Sequence, residues 1–175
     1  MGGALEPAQV YALLVRDGQV ALGPLLDHER AERDGVPQAC VYVVLVDATG
    51  RVYVQHRSPA KRLFPDRKTV SASGHVDPGE TFDQAAPREL REELGIARAT
   101  LARIGAFSGL PHCGPVYEAR SDEVPRPNPA ELDPEKSGFL TRQEVRGLLA
   151  QADALTPSGA RALRVWLERR DTEKA

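Results

Sequence analysis

Residues 74–96, GHVDPGETFDQAAPRELREELGI, limit the fold of this chain more than any other segment. Thr81 followed by Gln84 is a capping-box pattern, which predicts that a helix begins here. Gly95 follows Leu94 at the place where a left-handed glycine commonly ends a helix. The segment therefore predicts a loop followed by one bounded helix.

Three glutamates of this predicted helix, Glu89, Glu92 and Glu93, lie three and four residues apart and share one face. Like charges at that spacing destabilise a helix by about 0.2–0.5 kcal/mol per pair, so a compensating partner is expected. One interpretation is a solvated acidic face balanced by Arg88. An apolar stripe lies directly beside the carboxylates, which favours a position at the edge of a packed interface: Ala86, Leu90 and Leu94.

Crowded carboxylates at such an edge indicate a site for Mg²⁺, with Mn²⁺ as a substitute. These ions prefer hard oxygen ligands, and Mg²⁺ commonly takes one or two carboxylates together with water and substrate phosphate oxygens. Gly74 and Gly79 make the preceding loop permissive for tight turns and close ligand approach. Pro87 removes a backbone hydrogen bond inside the helix, which predicts a bent first turn or a later helix start.

The spacing of this segment is Gly, five residues, Glu, seven residues, then Arg-Glu-Leu-Arg-Glu-Glu-Leu-Gly-Ile. It resembles the complete signature box of the Nudix hydrolases, and every fixed position matches: Gly74, Glu80, Arg88, Glu89, Leu90, Glu92, Glu93, Gly95 and Ile96. The flanking VYVQHRSPAKRLFPDRKTVSASGHV resembles the branch related to isopentenyl-diphosphate isomerase and to nucleoside-diphosphate-hydrolysing members.

This resemblance implies an α/β fold, an α/β/α sandwich with a mixed β-sheet, and metal-dependent attack of water on a diphosphate. It implies that Glu89, Glu92 and Glu93 bind the metal and take part in catalysis. The Gly74 carbonyl is a further candidate ligand, and Arg88 is expected to orient a glutamate. Glu80 either supports the site structurally or contacts the metal through water.

The general base is left open by the sequence. Members of the superfamily place it either in the box or on a later loop. Glu92 or Glu89 is the leading candidate. Three acidic residues of the proline-rich loop are the alternatives: Glu131, Asp133 and Glu135.

Phosphate recognition is expected from the basic segment HRSPAKRLFPDRK, residues 56–68. Arg57 is the leading candidate because a planar guanidinium can bind phosphate bidentately, and Lys61 is the second. His75 follows Gly74 and is expected either to contact substrate or to hydrogen bond to the scaffold. The remaining cations of the segment are interpreted as surface charges: Arg62, Arg67 and Lys68.

The substrate is expected to be a small nucleotide such as CDP or UDP, or a nucleoside diphosphate linked to another group. Candidates to stack a base are few: Phe64, Phe107, Tyr117 and Phe139. An isomerase is a weaker alternative, because Ser73 stands where the resembling isomerases carry a catalytic cysteine. A nucleotide-binding module without turnover is the other alternative, although such modules commonly lose box glutamates.

The whole chain, residues 1–175, is predicted to form one Nudix domain with an N-terminal hairpin extension over residues 1–35. Seven strands are predicted: 10–15, 19–22, 40–46, 51–56, 69–73, 100–107 and 115–120. Two further helices are predicted at 141–151 and 157–170, and the polar segment 26–38 is interpreted as a connection.

Composition limits the partners and the compartment. A net charge of −2 gives no basis for binding a nucleic-acid polymer, and no apolar run is long enough to cross a membrane. Cys40 and Cys113 are too few for a disulfide framework, so both thiols are expected to be reduced in a cytoplasmic protein. The N-terminal hairpin could contribute to a homodimer.

Overall fold

The structure is a computed structural model that describes residues 8–172, so the first residues of the predicted 1–35 extension lie outside it. It has nine strands and four helices within those residues: β1 Gln9–Arg16, β2 Gln19–Asp27, α1 His28–Arg33, β3 Gln38–Val46, β4 Val52–His56, β5 Lys68–Thr69, β6 Ala72–His75, α2 Phe82–Leu94, β7 Thr100–Phe107, β8 His112–Arg120, β9 Gly138–Leu140, α3 Arg142–Ala150 and α4 Pro157–Thr172.

Strand β3 is the centre of the sheet. All nine of its residues are buried, as its continuous apolar sequence predicts for a strand covered on both faces. It pairs antiparallel with β1, β4 and β6 and parallel with β8, while β7 pairs with β8 and β9 pairs with β4. The sheet is therefore mixed, as expected.

The two faces of β3 belong to two hydrophobic cores. Val41, Val43 and Leu45 point toward helix α2 and pack in one core with Leu90 and Leu94. The alternate residues of β3 point to the opposite face and pack in the other core with α4, through Leu163 and Trp166. The α/β/α sandwich is thereby confirmed, and the face that holds α2 also holds the box glutamates.

The N-terminal hairpin is joined to the sheet. Strands β1 and β2 pair along most of their length, and Ala12 of β1 pairs with Gln38 of β3. Val10, Ala12 and Leu13 are buried. The segment after β2, which the sequence analysis treated as a polar connection, forms helix α1. Asp27 caps that helix by accepting a hydrogen bond from the Arg30 backbone N–H at 2.8 Å.

The box helix begins at Phe82, directly after the predicted Thr81 cap. The Thr81 N–H donates to the Gln84 side chain at 2.9 Å, and Gly95 ends the helix with φ of 67°. The helix begins at Phe82 and continues through Pro87, so of the two predicted alternatives, a bent first turn or a later start, the later start was wrong. Pro87 is exposed, and the helix keeps its remaining bonds while α2 packs against β3 and β6.

The predicted strand 69–73 is divided into β5 and β6, and β6 extends to His75. Gly74 therefore lies on a strand, where it pairs with Val41, and its φ is not in the left-handed region. The prediction that Gly74 belongs to a permissive loop was wrong. Gly79 does have a positive φ of 87°, as a turn before the helix requires.

The connection between β3 and β4 gives a test of stability. Asp47 accepts hydrogen bonds from the Thr49 and Arg51 backbone N–H groups, each at 2.9 Å. Burial alone would raise the pKa of Asp47, but these bonds and those from the two side chains lower it from 3.8 to about 2.

Replacement of Asp47 by Asn keeps an oxygen acceptor but removes the charge, so it should reduce the free energy of unfolding at pH 7 by about 1–2 kcal/mol. Because the folded pKa is lower than the unfolded pKa, this stabilisation is present above about pH 4 and is lost as the pH falls toward 2. Urea unfolding of wild type and Asp47→Asn across this range measures it, with the exposed Asp122→Asn as control. A stability difference that does not depend on pH would contradict the assignment.

Candidate active site

Helix α2, strand β6, the segment after β4 and the proline-rich loop enclose a cleft of about 680 Å³. Most of the residues that the sequence analysis selected line it: Arg57, Lys61, Gly74, His75, Glu89, Glu92, Glu93 and Glu131. Arg88 does not line the cleft, but its guanidinium binds Glu89 and Glu92, which do. Asp133 and Glu135 do not line the cleft.

Glu89 explains why residue 74 is glycine. The Glu89 carboxylate lies against the Cα of Gly74, in the space that a Cβ at that position would occupy. Glu89 is itself buried, with 8% of its surface exposed. Gly74 is thus required for the close approach of a carboxylate to strand β6.

The Arg88 guanidinium connects the acidic residues of the box. It binds both oxygens of Glu80 at 2.9 Å, and it donates to Glu89 at 2.7 Å and to Glu92 at 3.1 Å. It also donates to the His75 carbonyl at 2.8 Å. Hydrogen bonds from Arg88 lower the pKa of Glu80, so Glu80 is an ionised partner of Arg88 at neutral pH.

Glu93 is held from strands β4 and β6. Its Oε2 accepts from the Gln55 side-chain amide and from the Ser73 backbone N–H, the latter at 3.3 Å. Burial, and then the charge of Glu89, raise the pKa of Glu93 to about 8. Burial also raises the pKa of Glu89, against the opposing effect of Arg88. The surrounding protein therefore compensates poorly for two ionised carboxylates at these positions.

The donor set fits a hard divalent cation. Glu89, Glu92 and Glu93 provide carboxylate oxygens in one cleft, where a cation would relieve the electrostatic cost just described. Within residues 8–172 no three His, Cys, Asp or Glu side chains converge closely enough to hold an ion. Arg88 and Gln55 engage the carboxylates instead, and Mg²⁺ needs only one or two of them beside water and phosphate.

Arg57 lies in the cleft, but much of its guanidinium is engaged by the chain. Its Nε donates to the carbonyls of Leu63 and Phe64 at 3.2 Å, and its Nη2 donates to Leu63 at 2.9 Å. Arg57 therefore fixes the loop that follows β4. The edge of the guanidinium formed by Nε and Nη2 therefore binds loop carbonyls rather than a ligand.

Lys61 also lines the cleft, where it forms an ion pair with Glu131. Of the three loop acids considered as bases, only Glu131 reaches the cleft. The Asp133 carboxylate accepts from the backbone N–H groups of residues 135 and 136 and pairs with Lys136 at 3.2 Å. Glu135 is exposed on that same turn.

The proline-rich segment is attached to the end of the box helix. The Arg126 N–H donates to the Leu94 carbonyl at 2.7 Å, and the Asn128 N–H donates to the Glu93 carbonyl at 2.8 Å. These carbonyls belong to the last turn of α2, where intrahelical donors are lacking. The attachment brings Asn128 and Glu131 to the cleft.

Two polar residues of the site, Gln55 and Asn128, were not predicted from the sequence. Gln55 follows Val52, Tyr53 and Val54 on β4, and a polar residue directly after this apolar run was the available signal. Asn128 lies among prolines, and its placement depends on backbone bonds to a helix distant in sequence. No local pattern predicts that contact.

His75 is a neutral imidazole in this structure. Burial, followed by the proximity of His112 and His28, lowers the pKa of His75 to about 4. Its Nε2 lies 2.7 Å from the Gln38 side-chain oxygen, to which the neutral ring donates. The remaining Nδ1 of this neutral ring can accept a hydrogen bond from a ligand, but the ring carries no positive charge.

Only one of the four aromatic residues selected for base stacking lines the cleft. That residue is Phe64. Phe107 is buried against Tyr42, Phe139 packs on Tyr53, and the Tyr117 hydroxyl donates to Asp83 at 2.6 Å. These three contribute to packing. Tyr42, which the sequence analysis did not select, also lines the cleft.

Comparison with known proteins identifies the class. Residues 36–164 match the NUDIX domain family. An uncharacterised Nudix hydrolase of Yersinia pestis is 32% identical over 144 residues, covering 82% of this chain and 78% of that protein. One of Streptomyces coelicolor is 33% identical over 175 residues, covering 95% of this chain and 94% of that protein.

The crystal structure of DR0079 from Deinococcus radiodurans shares the fold. It superposes with a TM-score of 0.70 at 29% identity, covering 91% of this chain and 98% of that one. The chain belongs to the Nudix hydrolases and is a hydrolase that acts on pyrophosphate bonds. Enzymes of this family generally use divalent metals and act on small nucleotide-type substrates. No helix among residues 8–172 is long and apolar enough to span a membrane.

Replacement of Gly74 by Ala tests the contact with Glu89. The added methyl group would displace the Glu89 carboxylate, and kcat/KM for a diphosphate substrate should fall about 100-fold, as for other small misplacements of catalytic groups. Gly147→Ala is the matched control, because a Cβ there meets no neighbour. Unchanged activity in a folded Gly74→Ala protein would show that the position of Glu89 is unimportant.

Proposed function

We propose that this protein hydrolyses the diphosphate linkage of a nucleoside diphosphate, free or linked to another group, with Mg²⁺ bound through one or two carboxylates of the set Glu89, Glu92 and Glu93, together with water and substrate phosphate. The observation that carries the proposal is the group of box carboxylates in one cleft with the cations Arg57 and Lys61. The Gly74 carbonyl is a further candidate ligand. Mn²⁺ should substitute for Mg²⁺, because both prefer oxygen ligands.

The protein residues have distinct proposed tasks. A bound cation would neutralise phosphate oxygens and lower the pKa of a water. Arg88 keeps Glu89 and Glu92 at fixed positions through its guanidinium, and Gln55 does the same for Glu93. Lys61 can bind substrate phosphate when it leaves Glu131, while Arg57 offers the part of its guanidinium that does not hold the loop.

Glu92 is the proposed general base. Its side chain is 53% exposed, whereas that of Glu89 is 11% exposed, so Glu92 is more accessible to an attacking water. Glu93 is already held by Gln55 and Ser73. Glu131 remains the alternative because it lines the cleft, and each candidate is paired with a cation, Glu131 with Lys61 and Glu92 with Arg88.

The proposal is tested by phosphate and nucleotide release with and without Mg²⁺. The panel contains CDP, UDP, other nucleoside di- and triphosphates, nucleotide sugars, dinucleoside polyphosphates, coenzyme A and isopentenyl diphosphate. We expect turnover that EDTA abolishes, with highest kcat/KM for a nucleoside diphosphate or its derivative. Glu89→Gln and Glu93→Gln should each lower kcat at least about 100-fold.

Glu168→Gln is the control, because Glu168 is an exposed glutamate of α4. Nucleotide binding without turnover by the wild type would reject hydrolysis of these substrates. Conversion of isopentenyl diphosphate to its isomer, without phosphate release, would favour the isomerase alternative.

A comparison of Glu92→Gln with Glu131→Gln identifies the base. If Glu92 is the base, Glu92→Gln should lower kcat by about 10²–10⁴-fold, the usual contribution of general base catalysis. Glu131→Gln should change kcat by less than about 10-fold, because it removes only the partner of Lys61. The reverse order in single-turnover rates would assign the base to the proline-rich loop.

A further inference from the structure

A second cavity of about 390 Å³ opens beside the catalytic cleft. Leu63, Phe64, His112 and Ser158 line both spaces, so a ligand in the cleft can extend into the second cavity. The volume falls in the range of small-molecule sites in proteins. The distal part of a diphosphate substrate therefore has a defined place to bind.

The walls of this cavity are mainly apolar: Ala31, Val36, Leu63, Leu110, Pro111 and Pro157. Its charged groups, Arg62 and Glu32, bind each other at 2.8 Å. A phosphate or a sugar with several hydroxyls would lose water there without gaining enough hydrogen bonds. An uncharged, largely apolar group fits these walls better.

Phe64 is held in position at the boundary between the two spaces. Its φ is 51°, an uncommon backbone conformation for a bulky residue. Arg57 binds the carbonyls of residues 63 and 64 and so fixes this turn. The Arg67 guanidinium lies 5.5 Å from the centre of the Phe64 ring. A ring that is 38% exposed and fixed from several sides can serve as a stacking surface.

Gln38 provides polarity where the cavity meets the sheet. Its side chain is buried, lines the cavity and shares a 2.7 Å hydrogen bond with the neutral His75 ring. The amide nitrogen of Gln38 is a donor that can pair with a ring nitrogen or carbonyl oxygen. An aliphatic chain would not use this group, whereas a heteroaromatic ring would.

From these contacts we infer that the second cavity binds an uncharged heteroaromatic ring of the substrate, stacked on Phe64, while the diphosphate lies at the box glutamates. This inference rests on the proposed diphosphate hydrolysis. Such a ring site would favour substrates that carry a base over substrates whose distal group is a sugar or an isoprenoid chain. Phe64 is a specificity-determining residue in this arrangement.

The test compares substrates that differ only in the ring. CDP, UDP, ADP and GDP carry a base, ribose 5-diphosphate lacks it, and geranyl diphosphate carries an apolar chain. For the best nucleoside diphosphate, Phe64→Ala should lower kcat/KM about 10-fold, which corresponds to the loss of one stacking contact. The change for ribose 5-diphosphate should be less than about 2-fold, and Phe64→Tyr should restore the rate.

Leu25→Ala is the matched control, because Leu25 is 39% exposed on β2 and lines neither space. Thermal unfolding of each variant establishes that it is folded. Equal losses for CDP and ribose 5-diphosphate would overturn the inference while leaving diphosphate hydrolysis intact. Preferred hydrolysis of geranyl diphosphate with the same Phe64 dependence would also overturn it.

Binding measurements keep the two proposals separate. Titration calorimetry with nucleoside monophosphates, which carry the ring without a diphosphate, requires no turnover. Weaker binding of the best nucleoside monophosphate to Phe64→Ala, with unchanged binding of ribose 5-phosphate, supports the ring site even if no diphosphate is hydrolysed. Equal binding of both ligands by wild type and variant would overturn it. Absence of metal-dependent hydrolysis of every diphosphate, including ribose 5-diphosphate, would reject only the proposed function.

Discussion

The cleft depends on the ionic contacts of Arg88. One guanidinium neutralises Glu80, orients Glu89 and Glu92, and binds the carbonyl of His75 on the facing strand. It therefore fixes helix α2 to β6 at the level of the carboxylates. Glu89 can then lie against Gly74, because the Arg88 charge offsets the repulsion between the Glu89 carboxylate and the neighbouring carboxylates. A lysine could not replace this arrangement, because it lacks the planar fork that reaches several oxygens at once.

The local signals in the sequence predicted the elements that they control directly. The capping box at Thr81 and the glycine at 95 gave both ends of α2, because these residues bind the helix termini themselves. The apolar run of β3 predicted burial on both faces. The C-terminal end of β2, the N-terminal end of β8 and the existence of helix α1 were not predicted. Pairing and packing with distant segments determine these features.

The candidate site shows the same division. The box glutamates were selected from their spacing, whereas the close approach of Glu89 to Gly74 was not predicted, because it depends on how α2 packs on β6. Arg57 was selected for its charge, but its contacts with the carbonyls of residues 63 and 64 could not be read from sequence. Phe64 was one of four aromatic residues predicted to stack a base. Only the geometry of the cleft distinguishes it from the other three, because it alone among them lines the cleft.

The attachment of the proline-rich segment to the box helix has a consequence for how such enzymes can diversify. The bonds to the carbonyls of Glu93 and Leu94 are made by the backbone N–H groups of residues 126 and 128, so any residue except proline can make them at these positions. Substitutions in this loop can reshape the entrance of the cleft while its main chain stays in register with the last turn of α2. Substrate preference can thus change over evolutionary time without rebuilding the hydrolytic centre.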